Sequence, residues 1–373
     1  MKKYPLIVAF MFLSLQAFAQ RVAYPYWYIL EQGKSSFRSG RYGDALNAFE
    51  DAKRNRSAMY EKMEQDFIAV LSMYEVRRMR DSLDDIERYI TLNYLDNAAA
   101  ALRELYFRVP RQSLYGSANN ALKAIGALKH YPEAEYWIGE VYRIEGELNL
   151  ALIQYQKAYE QRATLENPNF TIDILYEIVG ILQIKQDYTG MERWSQTLLA
   201  LDGVWSGNSA QLYTRNAMSR LLESDGGIHR FLTVYRYDNA QIERVHRLLG
   251  FFYYDSGRHG AAQEHLLFSF LINSTLIINE LIRNRYDFEF TSLEALFEEA
   301  EMNVVLADFM SDTEYYKTLY YLGCALYANG KAPPARELWT VLAGRRAVAG
   351  EWAVRAANQL KSPVIEKPKE SLR

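Results

Sequence analysis

Four of the five histidines of this chain, His229, His246, His259 and His265, fall within one stretch, a concentration that could ligate a metal or move a proton. Their spacing argues against both. No HExxH or other zinc-type interval occurs. His246 and His265 belong to opposite helices of one helical pair, His259 sits in a turn, and His229 follows a Gly-Gly loop that places it at the surface. Acids cluster twice. Glu294, Glu298 and Glu301 recur at i, i+4 and i+7, which reads as a solvated acidic face of one helix. Asp81, Asp84 and Asp85 lack the ordered ligand spacing of a calcium loop and read as helix-start acids favoured by the macrodipole. The single cysteine, Cys324, has no adjacent base and lies in a helical pattern, where it is a small packing residue. No GxSxG elbow, GxxxxGK[ST] loop or GxGxxG turn is present. The expectation is a chain with no catalytic constellation, no metal and no cofactor.

The elements around these residues are more informative. Ser39-Gly40-Arg41-Tyr42-Gly43-Asp44-Ala45 returns as Ser256-Gly257-Arg258-His259-Gly260-Ala261-Ala262. Looser copies centre on Gly146, Gly330 and Gln186. Each copy separates two amphipathic helical patterns. Upstream, a glycine stands seven positions before the turn glycine: Gly33, Gly139, Gly250 and Gly323. A bare backbone there lets the second helix of the pair lie close. Downstream, apolar residues recur at i, i+4 and i+7, as in Ala45/Phe49/Ala52, Ala151/Tyr155/Ala158 and Ala335/Trp339/Leu342, which gives the second helix one buried stripe.

This spacing resembles the tetratricopeptide repeat. Ile138-Gly139, Tyr142, Ala151, Tyr155 and Ala158 follow its register most closely, and Leu322-Gly323, Ala335 and Trp339 follow it in the last unit. The third unit departs, with Val179 at the glycine position and Met191 at the alanine position. A further unit, Ser82 to Pro110, carries Tyr89, Ala98, Leu102 and Leu105 but lacks both glycines. The resemblance covers about half of the chain and implies an all-α, right-handed α-solenoid of helix pairs, each pair burying its stripe against its neighbours.

Anchor positions at 45, 98, 151, 191, 262 and 335 step by 53, 53, 40, 71 and 73 residues, against ~34 for uninterrupted repeats. The excess requires interrupting helices, read at Ala58 to Arg80, Leu114 to Lys129, Ala210 to Leu222, Ile228 to Tyr237 and Thr291 to Met310, the last with a Ser292/Glu294 start signal. A polar capping helix is read from Gly350 to Leu360. Gly-rich breaks at Asp202 to Ser209 and Ser224 to Gly227 divide an N-terminal repeat set, 20–205, from a C-terminal set, 206–361. The tail, 362–373, with Pro363, Pro368 and alternating charges, reads as a disordered loose end.

Residues 1–19 read as a secretory signal peptide. Lys2 and Lys3 precede an apolar run from Leu6 to Leu15, and Ala17-Phe18-Ala19 forms a small-x-small cleavage site before Gln20. No cysteine lies beside that site, so no lipoprotein anchor is expected, and no apolar run long enough to span a membrane is read after Gln20. One cysteine cannot form an intramolecular disulfide, so the exported chain must rely on its core, for which 49% apolar residues suffice. The formal charge is −3, or −5 once Lys2 and Lys3 are removed. Without clustered basic residues, nucleic acid is not an expected partner.

With 29 Tyr, 17 Phe and 6 Trp, the chain has more aromatics than catalysis would explain, and most are read as wedges between helices. The resemblance places a binding groove on the first helix of each pair. In register, that face carries Tyr136, Glu140, Arg143, Tyr176, Gln183, Arg247, Phe251, Tyr254, Tyr320 and Tyr327, a mixture of aromatics and arginine suited to holding a protein or peptide partner. The leading functional expectation is an exported, noncatalytic scaffold of a bacterial envelope, periplasmic or secreted. The alternatives are a small-molecule binder with an aromatic-lined pocket between the repeat sets, and an envelope enzyme.

Overall fold

The computed structural model describes residues 24–107, 111–205, 216, 220, 222 and 227–366; side chains are described for the same residues except 70–80, 82–83, 102–107 and 111–119. Among them every regular element is helical. The signal-peptide reading, most of the helix read from Ala210 to Leu222, Pro110, and positions 367–373 lie outside the described residues. The chain resolves into two compact units, 1–178 and 179–373, with the division inside a helix, Phe170–Ile184.

The first unit holds α1 (Tyr26–Arg38), α2 (Tyr42–Thr91), α3 (Leu95–Phe107), α4 (Arg111–Leu128), α5 (Pro132–Ile144) and α6 (Leu148–Glu160), and the start of α7 (Phe170–Ile184). α2 absorbs the helix expected from Ala58 to Arg80, because no glycine or proline interrupts the chain between Gly43 and Thr91. At 1.5 Å per residue it is about 75 Å long. Leu30, Phe49, Ala52, Tyr131, Ile138 and Val141 form a core shared by α1, α2 and α5. Arg56, nearly fully buried, ties α2 to the loops around it. It donates to the carbonyls of Leu128 (3.0 Å) and Thr164 (3.2 Å) and lies over the rings of Tyr131, Tyr26 and Tyr60.

The second unit holds the end of α7, then α8 (Tyr188–Leu199), α9 (Gly227–Val234), α10 (Ala240–Asp255), α11 (His259–Asn284), α12 (Leu293–Glu301), α13 (Val304–Asp312), α14 (Tyr315–Ala328), α15 (Ala332–Ala343), α16 (Arg346–Ala349) and α17 (Glu351–Lys361). The helix expected from Thr291 to Met310 divides in two. Ser292 caps α12 through the Ala295 N–H, and Asn303, in an extended conformation, accepts from Val305 and Leu306 and so starts a new helix. By length and composition alone α11 could cross a membrane, a run longer than the sequence reading anticipated; 78% of its apolar window is buried inside the fold.

Among the described residues six helix pairs turn in the same way. At residues 40, 93, 146, 186, 257 and 330 the backbone is left-handed. Each of these amides bonds to the carbonyl three residues back, and the next amide to the carbonyl five back: Gly257 to Tyr254 and Arg258 to Tyr253 in one pair, Gln186 to Gln183 and Asp187 to Leu182 in another. This is the Schellman closure of a helix C-terminus. The unit read between Ser82 and Pro110 has the turn too, with Asn93 in place of glycine. The contact glycines lie against the second helix as expected. A Cβ at Gly33 would sit 2.5 Å from Phe49, at Gly139 2.7 Å from Tyr155, at Gly250 2.7 Å from Leu266 and at Gly323 2.5 Å from Trp339.

Candidate functional site

In the second unit, α10 presents Arg244, Arg247, Leu248, Phe251, Phe252 and Asp255 at helical spacing along one side of an open groove of about 570 Å³. The α7–α8 turn, including Gln183, Gln186 and Tyr188, closes one flank, and Glu314 with Lys317 at the start of α14 closes the other.

The second helix of the pair fixes these side chains. Glu243 is buried and accepts hydrogen bonds from Ser269 (2.7 Å) and Asn273 (3.1 Å) of α11. It also accepts from the Arg247 Nε at 3.1 Å, so the guanidinium is aimed from the core outward. Arg247 then pairs with Glu314, which also binds Lys317 at 2.7 Å. The Lys317 ammonium lies 4.4 Å from the centre of the Phe251 ring. Burial would raise the Glu314 pKa, but the Lys317 hydrogen bond and the charges of Lys317 and Arg247 outweigh it and hold the carboxyl below its ordinary value. Phe252 stacks on Tyr188 at 5.5 Å, and Arg258 covers Phe252 and Tyr253 while pairing with Glu192 of α8. The result is a groove with aromatic faces and fixed cations.

Of the residues read as partner-binding, Gln183, Arg247 and Phe251 line this groove. Tyr254 and Tyr320 do not: each is 2% exposed, which corrects the expectation of an accessible face. The next helix pair explains it. Tyr254 packs on Tyr321 of α14 (5.0 Å), and Tyr320 packs on Trp352 of α17 (5.7 Å), so rings on the first helix of a pair are covered by the helix that follows. Tyr327 is half-buried beside Trp339. In the first unit Glu140 is also buried, as the acceptor of the Tyr155 hydroxyl and of Arg143 at 2.6 Å. Arg143 reaches on to Glu177 (3.5 Å), and Tyr136 packs against Phe170 and Tyr155. Tyr176 is half-buried. Sequence reasoning missed Arg244, Leu248 and Phe252, an i, i+4 series whose first two members stand three residues before Arg247 and Phe251, so helical spacing could have supplied them. It also missed Glu314 and Lys317, for which no local signal exists.

The chemical candidates resolve into structure. His246 and His265 meet across α10 and α11 with their Nδ1 atoms 3.1 Å apart, enclosed by Trp205, Phe268 and Tyr253. One ring must donate and the other accept, so the two Nδ1 atoms cannot both carry protons. His229 accepts the Leu293 N–H at 3.2 Å on Nδ1 and faces Glu337 with Nε2 at 3.4 Å. Of the acids expected to form a solvated face, Glu294 and Glu298 are exposed and Glu301 is half-buried, and the helix that carries them meets one guanidinium. Arg345 donates to the Glu294 carbonyl (2.7 Å) and contacts the carboxylates of Glu298 (3.4 Å) and Glu301 (3.5 Å). Burial pushes the Cys324 thiol up to about 12, which leaves it protonated and unreactive at neutral pH. Among the described residues no three His, Cys, Asp or Glu side chains are grouped to hold a metal.

No family model matches the chain. It is similar to an uncharacterized protein of Treponema pallidum (strain Nichols), with 22% identity over 334 residues, 90% of this chain and 89% of that protein. A second uncharacterized protein, from Borreliella burgdorferi (strain ATCC 35210 / DSM 4680 / CIP 102532 / B31), is 22% identical over 293 residues, 69% of this chain and 89% of its own length. The first of these similarities spans both compact units.

Proposed function

We propose that this chain is an exported, noncatalytic scaffold whose tetratricopeptide-like helix pairs stack as a right-handed solenoid and hold a protein or peptide partner in a bacterial envelope. Export rests on Lys2, Lys3, the apolar run and the Ala17-Phe18-Ala19 site, with a mature chain that begins at Gln20. The observation that carries the binding role is the α10 groove. Its Phe251 and Phe252 rings lie among Arg244, Arg247 and Lys317 in an open cleft, and aromatic and arginine side chains dominate binding energy at protein interfaces. A peptide with acidic and apolar side chains complements that lining.

A photo-crosslinking side chain at Leu248, compared with one at the fully exposed Tyr286, tests the reading in the native envelope. The expected result is one discrete adduct from position 248, lost when Phe251 and Arg244 are replaced by alanine, a change expected to cost ~2 kcal/mol of binding at a hot spot. Identical adducts from positions 248 and 286, or none from 248, would sink it.

A further inference from the structure

The segment after α17 was read as a loose end, yet Ser362–Glu366 is held at several points. The Val364 N–H donates to Gln359 Oε1 at 2.8 Å, and Gln359 Nε2 donates back to the Val364 carbonyl at 3.2 Å. One side-chain amide thus satisfies both backbone groups of a residue, as a neighbouring strand would. Gln359 is itself buried, and its Nε2 also reaches the Tyr320 hydroxyl at 3.3 Å. Two residues on, the Glu366 carboxylate pairs with Arg355 and accepts from the Tyr320 hydroxyl at 3.1 Å.

Arg355 does not depend on Glu366 for its position. Its guanidinium lies against the rings of Tyr320 (4.6 Å), Trp352 (5.0 Å) and Tyr321 (5.6 Å). The side chains of Val364 and Ile365 are 56% and 51% exposed, so the grip is on backbone and carboxylate, not on apolar side chains. With the segment gone, Gln359 Nε2 keeps the Tyr320 hydroxyl but Oε1 loses the Val364 N–H; a buried acceptor left unpaired is disfavoured, which favours a replacement that makes the same bond.

We propose that Gln359, Arg355 and Tyr320 form a docking site for an extended acidic peptide, occupied in cis by this chain's own residues 362–366 and opened when a partner segment with a carboxylate two residues beyond its Gln359-paired residue displaces them. The site shares no lining residue with the α10 groove and stands whether or not that groove binds a partner. Tethering gives the cis segment a local concentration on the order of millimolar, so free peptide competes well only once the tether's anchor is weakened.

The test uses a fluorescent peptide of residues 362–366, blocked at both ends so that Glu366 supplies its sole carboxylate, against the full chain. Anisotropy should show binding to the Glu366→Ala chain at least about tenfold tighter than to the wild type. Changing the peptide's glutamate to glutamine, or adding Arg355→Gln to the Glu366→Ala chain, should weaken binding by a similar factor. Equal binding to both chains, no binding to the Glu366→Ala chain, or indifference to the peptide's carboxylate would overturn the proposal. Hydrogen exchange on the unmodified chain provides a second reading that no variant's misfolding can confuse. The Val364 amide should exchange slowly and be accelerated by millimolar peptide, and exchange at the rate of an unfolded chain would equally overturn it.

Discussion

The pair α14–α15 and the pair α7–α8 reach the same turn from different residues. In α14–α15, Gly323 lies under Trp339 and the turn residue is Gly330 at φ 79°. In α7–α8 the corresponding positions are Val179, Ser195 and Gln186, the last at φ 59°. Both turns close with the same two backbone hydrogen bonds. Bulk has moved from the second helix to the first, since a glycine facing a tryptophan in one pair is matched by a valine and a fully buried serine at the equivalent positions in the other. What both pairs keep is the backbone geometry of the turn, which does not require a particular residue at a particular place.

The largest test of that comparison is Gly323→Leu. A Cβ would already stand 2.5 Å from the Trp339 Nε1, so overpacking should cost ~3 kcal/mol, read as a lower urea midpoint with an unchanged slope. If volume is what matters, the double variant Gly323→Val/Trp339→Ser, which imitates α7–α8, should be more stable than the two single changes summed, by ~1–2 kcal/mol. Simple additivity would break the comparison.

Next in size are the turn residues. Gly330→Ala, in an open position with φ 79°, meets no neighbour and suffers only the left-handed backbone, for ~1 kcal/mol. Gln186→Gly should stabilise by ~0.5–1 kcal/mol for the same reason reversed. Thermal melts of the two variants should therefore shift in opposite directions.

The smallest effect separates the entries of the two pairs. α14 begins after Glu314, which sits at φ 49° and pairs with Arg247 and Lys317. Its pKa is held below the ordinary 4.5, so its contribution to stability is present above that value and is lost as the pH falls through the lower folded value. Glu314→Gln should cost under ~1 kcal/mol at pH 7, since the pair is partly exposed. The variant should also lose less stability than the wild type between about pH 5 and pH 3.

The repeat turns were legible because each is a local event. Gly40, Gly146, Gly257 and Gly330 announce a left-handed residue, and Gly33, Gly139, Gly250 and Gly323 announce a close contact about two helical turns earlier. The continuous α2 was legible in principle, from the absence of any breaker, but the repeat register suggested a division there that the backbone had no reason to make. At the groove, Arg247 and Phe251 could be named because helical spacing puts them on one face. Tyr254 and Tyr320 share that logic and are buried all the same, because periodicity reports which side of a helix a residue occupies and not what lies against it.

The sequence by itself therefore determined the all-helical class, the positions of the turns and which face of each second helix is buried, since these follow from φ preferences and a period of 3.6 residues. Only the tertiary structure decided that Glu314 and Lys317 complete the α10 groove, that His246 and His265 share a hydrogen bond, that the carboxylates of Glu298 and Glu301 meet Arg345, and that residues 362–366 lie bound to Gln359 and Arg355. Each of those contacts joins groups on separate elements, and their formation depends on helix positions in space that the residues between them do not encode locally.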